Sequence, residues 1–154
     1  MAKMTRFHEV GGPEVLRYED VEVGEPGAGQ VRLVHGAVAL NFADTYFRSG
    51  LYPAPLPSGI GSDACGTVTA VGAGVTNVKV GDRVTYTGAH NTLGAYSTER
   101  LIDAAPLIRL PDAIDFETAA AITMRGLTAA YLMRRIYEFK GGETILLHAA
   151  AGGV

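Results

Sequence analysis

Residues 41–52 interleave polar and aromatic side chains in a pattern that suits a pocket for a flat ligand. The amide of Asn41 can donate a hydrogen bond to a ligand carbonyl, and Tyr46 and Tyr52 offer aromatic walls that carry a hydroxyl group. The same residues also fit an ordinary loop in which Asn41 forms an Asx turn and the tyrosines are structural. From the residues alone the loop is the favoured interpretation.

A second candidate site lies at residues 149–154, where small residues follow the apolar run 144–148. Small residues after a buried strand let the backbone approach a pyrophosphate, which the first amides of the next helix then bind. A plain strand-to-helix turn explains Gly152 and Gly153 equally well. No residue follows Val154 to build that helix, so we expect the sequence to be a fragment of a longer protein.

Metal and hydrolase chemistry find little support in the residue pattern. The single cysteine, Cys65, and the histidines show no spacing typical of metal ligands. The histidines are His8, His35, His90 and His148. Ser62 lacks the flanking glycines of a nucleophile elbow, and Asp44, Asp63 and Asp82 are too scattered to predict an acid and base pair. We therefore expect neither a catalytic zinc ion nor a hydrolase.

Charge and hydropathy exclude further classes of protein. The net charge of −3 over 154 residues favours neither nucleic-acid binding nor attraction to an acidic membrane surface. No run is long enough for a secretory signal or a membrane span. A lone cysteine fits a reducing compartment, so we expect a cytoplasmic protein.

The elements that position these residues change in type along the chain. Turn residues recur roughly every eight to twelve positions up to about residue 110, as in an all-β barrel or sandwich. The predicted strands are residues 30–40, covered on both faces, 67–71 and 83–87. Apolar periodicity then predicts a helix at 116–124, capped by Asp115 and interrupted at Arg125 and Gly126, and a second helix at 127–139. A central parallel strand is predicted to follow at 144–148. This order indicates a β domain, a helical bridge and the first strand of an α/β sheet.

Several segments taken together resemble the zinc-independent quinone oxidoreductases, the ζ-crystallin-like branch of the medium-chain dehydrogenase/reductase superfamily. These segments are residues 7–16, 41–52, 81–86, 94–97, 126–131 and 142–154. The resemblance implies a mostly β GroES-like barrel domain leading into the first strand of an α/β Rossmann domain that binds NADPH. It places the GroES-like catalytic domain, without its C-terminal return segment, at residues 1–125. The truncated start of the Rossmann domain is then residues 126–154.

The resemblance also implies roles for individual residues. Asn41, Tyr46 and Tyr52 match the catalytic groups around the nicotinamide and the quinone. The implied cofactor contacts are Asn41, Phe42, Ala43, Asp44, Tyr46, Thr128, Gly152, Gly153 and Val154. Zinc-dependent relatives carry a cysteine at the position of Asn41 and a histidine near Gly61, so the resemblance too implies chemistry without metal. Asp63 stands where relatives more often have glutamate.

The implied activity is the transfer of reducing equivalents from NADPH to a quinone by a full-length enzyme that forms a homodimer. No side chain here is a convincing general acid, which leaves solvent as a source of the proton. One alternative is reduction of the activated double bond of an enone or enal on the same scaffold, and another is a non-catalytic binding or structural protein. We expect the isolated chain to be inactive, because half of the cofactor site, including the residues that select NADPH over NADH, would lie beyond position 154.

Overall fold

The computed structural model describes residues 1–88 and 93–154. Within these residues the strands are β1 (Ala2–Phe7), β2 (Leu16–Val21), β3 (Gln30–Val38), β4 (Ser58–Gly59), β5 (Ala64–Val71), β6 (Arg83–Tyr86), β7 (Glu99–Asp103) and β8 (Ile108–Arg109). The α-helices are α1 (Phe42–Ser49) and α2 (Phe116–Tyr131). A 3-10 turn at Pro13–Val15 and a π-helical turn at Leu132–Ile136 complete the regular structure.

The strands form two antiparallel sheets. The smaller sheet has the order β2-β1-β4, and the larger has the order β7-β3-β5-β6-β8. Strand β3 lies in the middle of the larger sheet, where it pairs with both β5 and β7. A β-bridge between Met4 and Ser97 joins strand β1 to the segment before β7. The prediction of a mostly β N-terminal region is confirmed.

The main core covers one face of the larger sheet. Its fully buried side chains include Val31 and Leu33 of β3, Val68 of β5, and Val84 and Tyr86 of β6. Full burial of an apolar side chain of this size contributes roughly 1.5–3 kcal/mol to stability. The core therefore fixes the larger sheet as a rigid platform under the candidate site.

Strand β3 departs from its prediction. It ends at Val38, and its side chains alternate: Val31 and Leu33 are buried, whereas Val34 and Val38 are 40% and 43% exposed. The prediction that both faces are covered is therefore wrong for this strand. Valine suits the pleated backbone of a strand whether or not a second layer packs on it, so its presence on both faces was misleading.

Helix α2 packs on the face of the larger sheet opposite to the main core. Thr85 of β6 and Thr123 of α2 share a hydrogen bond between their hydroxyl groups at 3.0 Å. Ala119 and Ala120 of the same helix are buried in a cluster with Cys65 of β5. Small side chains at these positions let the helix approach the sheet closely.

The N-terminus of α2 forms as predicted, but its predicted interruption does not. The carboxylate of Asp115 caps the helix by accepting a hydrogen bond from the Thr118 N–H at 2.6 Å. The helix then runs through Gly126 to Tyr131 without a break and continues into the π-helical turn. A glycine inside a helix costs only about 1 kcal/mol relative to alanine, and the flanking helix-forming residues outweigh that cost. The predicted domain boundary at residues 125 and 126 thus falls inside one helix.

The predicted strand at residues 144–148 is also wrong. Ile145, Leu146 and Leu147 are 59%, 85% and 59% exposed, and none of the described strands pairs with this segment. An apolar run becomes a strand only where a neighbouring strand satisfies its backbone amides and carbonyls. The segment before the glycine-rich turn therefore lies outside the described strands.

Candidate active site

Helix α1 places Asn41 and the aromatic residues that follow it. Asn41 is the N-cap, with an extended backbone, and its N–H donates to Asp44 Oδ2 at 2.9 Å. The helix stops at Gly50, whose φ of +81° lies in the left-handed region that favours glycine. The loop interpretation is therefore wrong. An asparagine followed three residues later by an acid, with glycine after the last turn, was the signal for a helix that the sequence analysis missed.

An aromatic cluster surrounds the exposed side of α1. The ring of Tyr46 meets the rings of Phe42 and Tyr52 edge to face, with centroids 5.4 Å and 5.3 Å apart. The backbone N–H of Tyr52 donates to the carbonyl oxygen of Tyr46 at 3.0 Å, which holds the residues after the helix against it. Phe42 and Tyr52 remain 74% and 45% exposed. The structure thus brings the half-buried Tyr46 and the exposed Tyr52 together in one aromatic surface, which suits a flat apolar ligand.

The side chain of Asn41 faces a buried carboxylate. Its Nδ2 donates to Asp63 Oδ1 at 2.5 Å, and the Ser62 hydroxyl approaches the same oxygen at 3.4 Å. Asp63 precedes β5, and its carbonyl oxygen accepts a hydrogen bond from the Ala39 N–H at 3.1 Å. Burial, and after it the negative charge of Asp44, raise the pKa of Asp63 above its usual range. The contact between Asn41 and Asp63 therefore combines a neutral amide with a carboxyl group that ionises reluctantly.

Asp44 joins this network from the first turn of α1. Its Oδ2 accepts a second hydrogen bond, at 2.8 Å, from the hydroxyl group of Tyr96. The ring of Tyr96 lies against Gly61, whose φ is +84° and where any Cβ would collide with that ring. Burial and the bond to Asp44 raise the pKa of Tyr96, so this hydroxyl remains a donor at neutral pH. Asn41, Asp44, Asp63 and Tyr96 form one polar cluster beside the aromatic surface.

From the sequence, Asp44 and Asp63 were expected to be unrelated, and Tyr96 was not among the predicted site residues. The structure contradicts that interpretation, because the charge of Asp44 acts on Asp63 and both side chains bond to Asn41. One buried oxygen of each carboxylate, Asp44 Oδ1 and Asp63 Oδ2, has no hydrogen-bond partner among the described residues. No residue spacing in the sequence predicts this cluster, since its members come from three separate segments.

The other sequence-predicted residues lie on α2 and at the end of the chain. Thr128 is in the second half of α2, where its hydroxyl donates to the Met124 carbonyl oxygen at 2.8 Å. Gly152 closes a turn by donating its N–H to the Ala149 carbonyl oxygen at 2.7 Å. Gly153 lies so close to the side chain of Arg125 that a Cβ there would collide with it. Val154 is exposed, and Ala43 is half-buried on α1.

Arg125 connects this turn with the first part of the site. Its Nη1 donates to the Ala121 carbonyl oxygen at 2.7 Å, and its Nη2 donates to that of Leu40 at 3.2 Å, directly before Asn41. The same side chain lies against Gly153 and lowers the pKa of Asp63, although the raising effects are larger. This role of Arg125 was not predicted from the sequence, where Arg125 was expected only to interrupt a helix.

Metal ligands do not come together in the described part of the chain. Within residues 1–88 and 93–154, no three histidine, cysteine, aspartate or glutamate side chains form a group that suits a metal ion. His35 is engaged through Nδ1 with the Ser97 carbonyl oxygen at 2.7 Å and through Nε2 with the Tyr86 hydroxyl at 3.0 Å. His90 lies outside the described residues. Chemistry without metal stays a prediction.

Comparison with known families agrees with the β architecture. The sequence model described as the alcohol dehydrogenase GroES-like domain matches residues 27–112, which is more than half of the chain. The chain belongs to this GroES-like family. The predicted fold class of its N-terminal region is thereby confirmed. Among the described helices of this GroES-like chain, none is both long and apolar enough to cross a lipid bilayer.

Individual quinone oxidoreductases are similar to the chain over nearly all of its length. The GroES-like chain is 58% identical, over 155 residues, to a quinone oxidoreductase of Pseudomonas aeruginosa, and the match covers 100% of the chain and 47% of that protein. A crystal structure of the Pseudomonas syringae pv. tomato quinone oxidoreductase superposes with a TM-score of 0.94 at 54% identity, covering 99% of the chain and 47% of that structure.

A third similar protein has been solved with NADPH bound. The crystal structure of Escherichia coli quinone oxidoreductase complexed with NADPH superposes with a TM-score of 0.85 at 47% identity, covering 90% of the chain and 42% of that structure. The GroES-like chain therefore spans about half the length of the relatives it matches. The resemblance predicted from the sequence is confirmed.

Proposed function

We propose that this chain is the N-terminal part of an NADPH-dependent quinone oxidoreductase that works without a metal ion. The observation that carries the proposal is the placement of Asn41 at the start of α1, directly before the exposed aromatic surface of Phe42, Tyr46 and Tyr52. A hydrogen-bonding amide beside flat rings matches the two features of a quinone, its carbonyl groups and its planar ring. Similarity to quinone oxidoreductases over the whole chain supports the same conclusion.

In the proposed reaction the side chains of this chain bind and orient the acceptor. Asn41 polarises a quinone carbonyl through its amide, and Tyr46 and Tyr52 form the walls that hold the ring. When NADPH is bound it supplies the hydride, while these residues keep the acceptor in line and exclude water. No side chain at this site is a convincing general acid, so in the proposed reaction solvent supplies the proton.

The proposed cofactor contacts lie on helix α1, on helix α2 and in the turn at residues 152–154. We infer that Asn41, Phe42, Ala43, Asp44 and Tyr46 border the nicotinamide side, together with Thr128 of α2. Gly152, Gly153 and Val154 would border the pyrophosphate. The residues fit such a group, because Gly152 and Gly153 have no side chains to block close backbone approach and the positively charged side chain of Arg125 lies against Gly153. Asp44 is 4% exposed and already accepts two hydrogen bonds, which supports a contact through its backbone.

We also propose how the domains of the whole protein are arranged along the sequence. Residues 1–125 would form the GroES-like catalytic domain and residues 126–154 the start of the Rossmann domain, with α2 as a continuous link. The full-length protein would be a cytoplasmic homodimer. The isolated chain would not turn over NADPH, because the rest of the cofactor site would have to come from residues outside it.

The test is an assay of NADPH oxidation by the full-length protein with benzoquinones and with enones as acceptors. We expect turnover with quinones and little with enones, and a strong preference for enones would instead support the double-bond reductase. Fluorescence titration with NADPH separates both from a non-catalytic protein, which would show no binding. NADPH oxidation by the isolated chain would contradict the inactivity proposed for it.

Two variants relate the activity to the aromatic surface. Replacement of Tyr46 or Tyr52 by Phe keeps the ring but removes the hydroxyl group, and we expect kcat/KM for quinones to fall by roughly 10-fold for a hydroxyl that bonds the acceptor. Tyr18→Phe is the matched control, since Tyr18 is a 64% exposed tyrosine on β2 of the other sheet. Equal kcat/KM in all three variants would remove both hydroxyl groups from the proposed site.

A further inference from the structure

Asp63 is a buried carboxylate that accepts few hydrogen bonds. It is 1% exposed, its Oδ1 accepts from Asn41 and Ser62, and its Oδ2 has no partner among the described residues. A buried carboxylate with so few donors destabilises a fold relative to an apolar side chain of similar size. Packing alone therefore gives no reason for an acid at this position.

The groups around Asp63 show how its charge is balanced. The negative charge of Asp44 on α1 and the positive charge of Arg125 on α2 both act on it. Tyr86 of β6 and Tyr96, in the segment before β7, also interact with its charge. Among the described residues, the side-chain hydrogen bonds of Asp63 come from Asn41 and Ser62. The shorter of these two hydrogen bonds comes from the amide of Asn41.

The chemistry of this contact fixes the orientation of the amide. An ionised carboxylate only accepts hydrogen bonds, so it selects Nδ2 of Asn41 and not Oδ1 as its neighbour. The backbone of Asn41 is already held by Asp44. With a neutral partner that both donates and accepts, the amide could present either of its ends. The charge of Asp63 removes that choice.

We propose that Asp63 is a positioning residue for quinone reduction, which acts by locking the side-chain amide of Asn41 in one orientation. The inference rests on the proposed function and adds a residue to its site. One Nδ2 hydrogen is bonded to Asp63, and the second is left to meet the acceptor carbonyl in a constant direction. Because misplacement of a polarising group by about 1 Å can reduce turnover about 100-fold, a fixed amide orientation matters for rate.

The kinetic test uses the full-length protein with Asp63→Asn, Asp63→Glu and Asp103→Asn. Asp63→Asn keeps the size but supplies a partner that both donates and accepts, and we expect kcat for quinones to fall about 10- to 100-fold. Asp63→Glu keeps the charge and should recover most of the rate. Asp103→Asn, a change at an exposed acid on β7, should leave kcat unchanged.

The thermal midpoint distinguishes positioning from support of the fold. Since Asp63→Asn removes a buried charge, we expect its midpoint to equal or exceed that of the wild type while kcat falls. Wild-type kcat in Asp63→Asn would overturn the proposal. A loss of activity that parallels a lower thermal midpoint would overturn it as well, because Asp63 would then only support the fold.

A second readout does not depend on turnover. In protein labelled with 15N asparagine, the two Nδ2 hydrogens of Asn41, assigned with Asn41→Ala, should differ widely in chemical shift in the wild type and move as Asp63 titrates. In Asp63→Asn that pH-dependent movement should disappear. If the wild type fails to reduce quinones, the proposed function fails, and this comparison still decides whether Asp63 orients Asn41. Unchanged Asn41 signals in Asp63→Asn would contradict the inference alone.

Discussion

The hydroxyl group of Tyr96 donates a hydrogen bond to Asp44 Oδ2 at 2.8 Å and thereby joins the segment before β7 to helix α1. The same oxygen accepts the backbone N–H of Asn41, so one carboxylate holds both the start of the helix and the tyrosine. Asp44 is 4% exposed, and water cannot easily replace either donor. The position of α1, and of the aromatic surface it carries, therefore depends on this bond.

Replacement of Tyr96 by Phe should destabilise the protein because it leaves Asp44 with a missing donor. We expect the free energy of unfolding to fall by about 1–3 kcal/mol, the usual cost of an unsatisfied buried polar group. Urea unfolding of the full-length protein measures the change. Tyr18→Phe, at an exposed tyrosine, serves as control and should change it little. Equal stability of the two variants would show that the bond is not needed.

Replacement of Gly66 by Ala should disrupt the pairing of β3 and β5. A Cβ at Gly66 would collide with the backbone carbonyl oxygen of Val34, which cannot move without shifting β3. We expect a loss of roughly 1–3 kcal/mol in the free energy of unfolding. Gly24→Ala is the matched control, since nothing lies within 4 Å of its Cβ position. Similar urea midpoints for both variants would contradict the predicted clash.

The free energy of unfolding should decrease as the pH drops below neutrality, in part because of His35. Burial chiefly, and Arg100 nearby, lower the pKa of His35 from 6.5 to about 4, so the unfolded chain binds a proton that the folded chain refuses. The contribution of His35 to stability is complete above pH 6.5 and is lost as the pH falls toward 4. The full loss is on the order of 3 kcal/mol.

Urea unfolding of wild type and His35→Gln at several pH values tests this dependence. Glutamine can still bond the Tyr86 hydroxyl or the Ser97 carbonyl group but does not titrate. The difference in unfolding free energy between wild type and variant should therefore shrink as the pH falls from 6.5 to 4. A constant difference over that interval would show that His35 is not the group responsible.

Cys65 should be unreactive in the folded protein. Its thiol is buried, donates to the Phe116 carbonyl oxygen at 2.8 Å, and has a pKa that burial raises to about 11. At pH 8 the thiolate fraction falls about 100-fold relative to an exposed thiol, so alkylation slows by at least that factor. Mass spectrometry of the Cys65 peptide after iodoacetamide treatment measures the rate. Comparable labelling with and without urea would contradict the predicted protection.

Local chemistry in the sequence predicted part of the fold and part of the site. Turn spacing indicated the β region, and Asp115 before an apolar face indicated the start of α2. The same rules failed where the preference of one residue was outweighed by its surroundings. Gly126 stays helical because the residues around it favour the helix. Residues 144–148 stay unpaired because β structure needs a neighbouring strand, which periodicity cannot supply.

The β-rich fold class, the resemblance to quinone oxidoreductases and the grouping of Asn41, Tyr46 and Tyr52 in one short segment could all be predicted from the residues alone. The groups that surround this segment became known from the three-dimensional fold. Pairing of β5 with β3 brings Asp63 beside residue 39, and the Met4 and Ser97 bridge carries Tyr96 toward Asp44. Hydrogen bonds between side chains this distant in sequence depend on where whole strands meet, and no local pattern of residues encodes that.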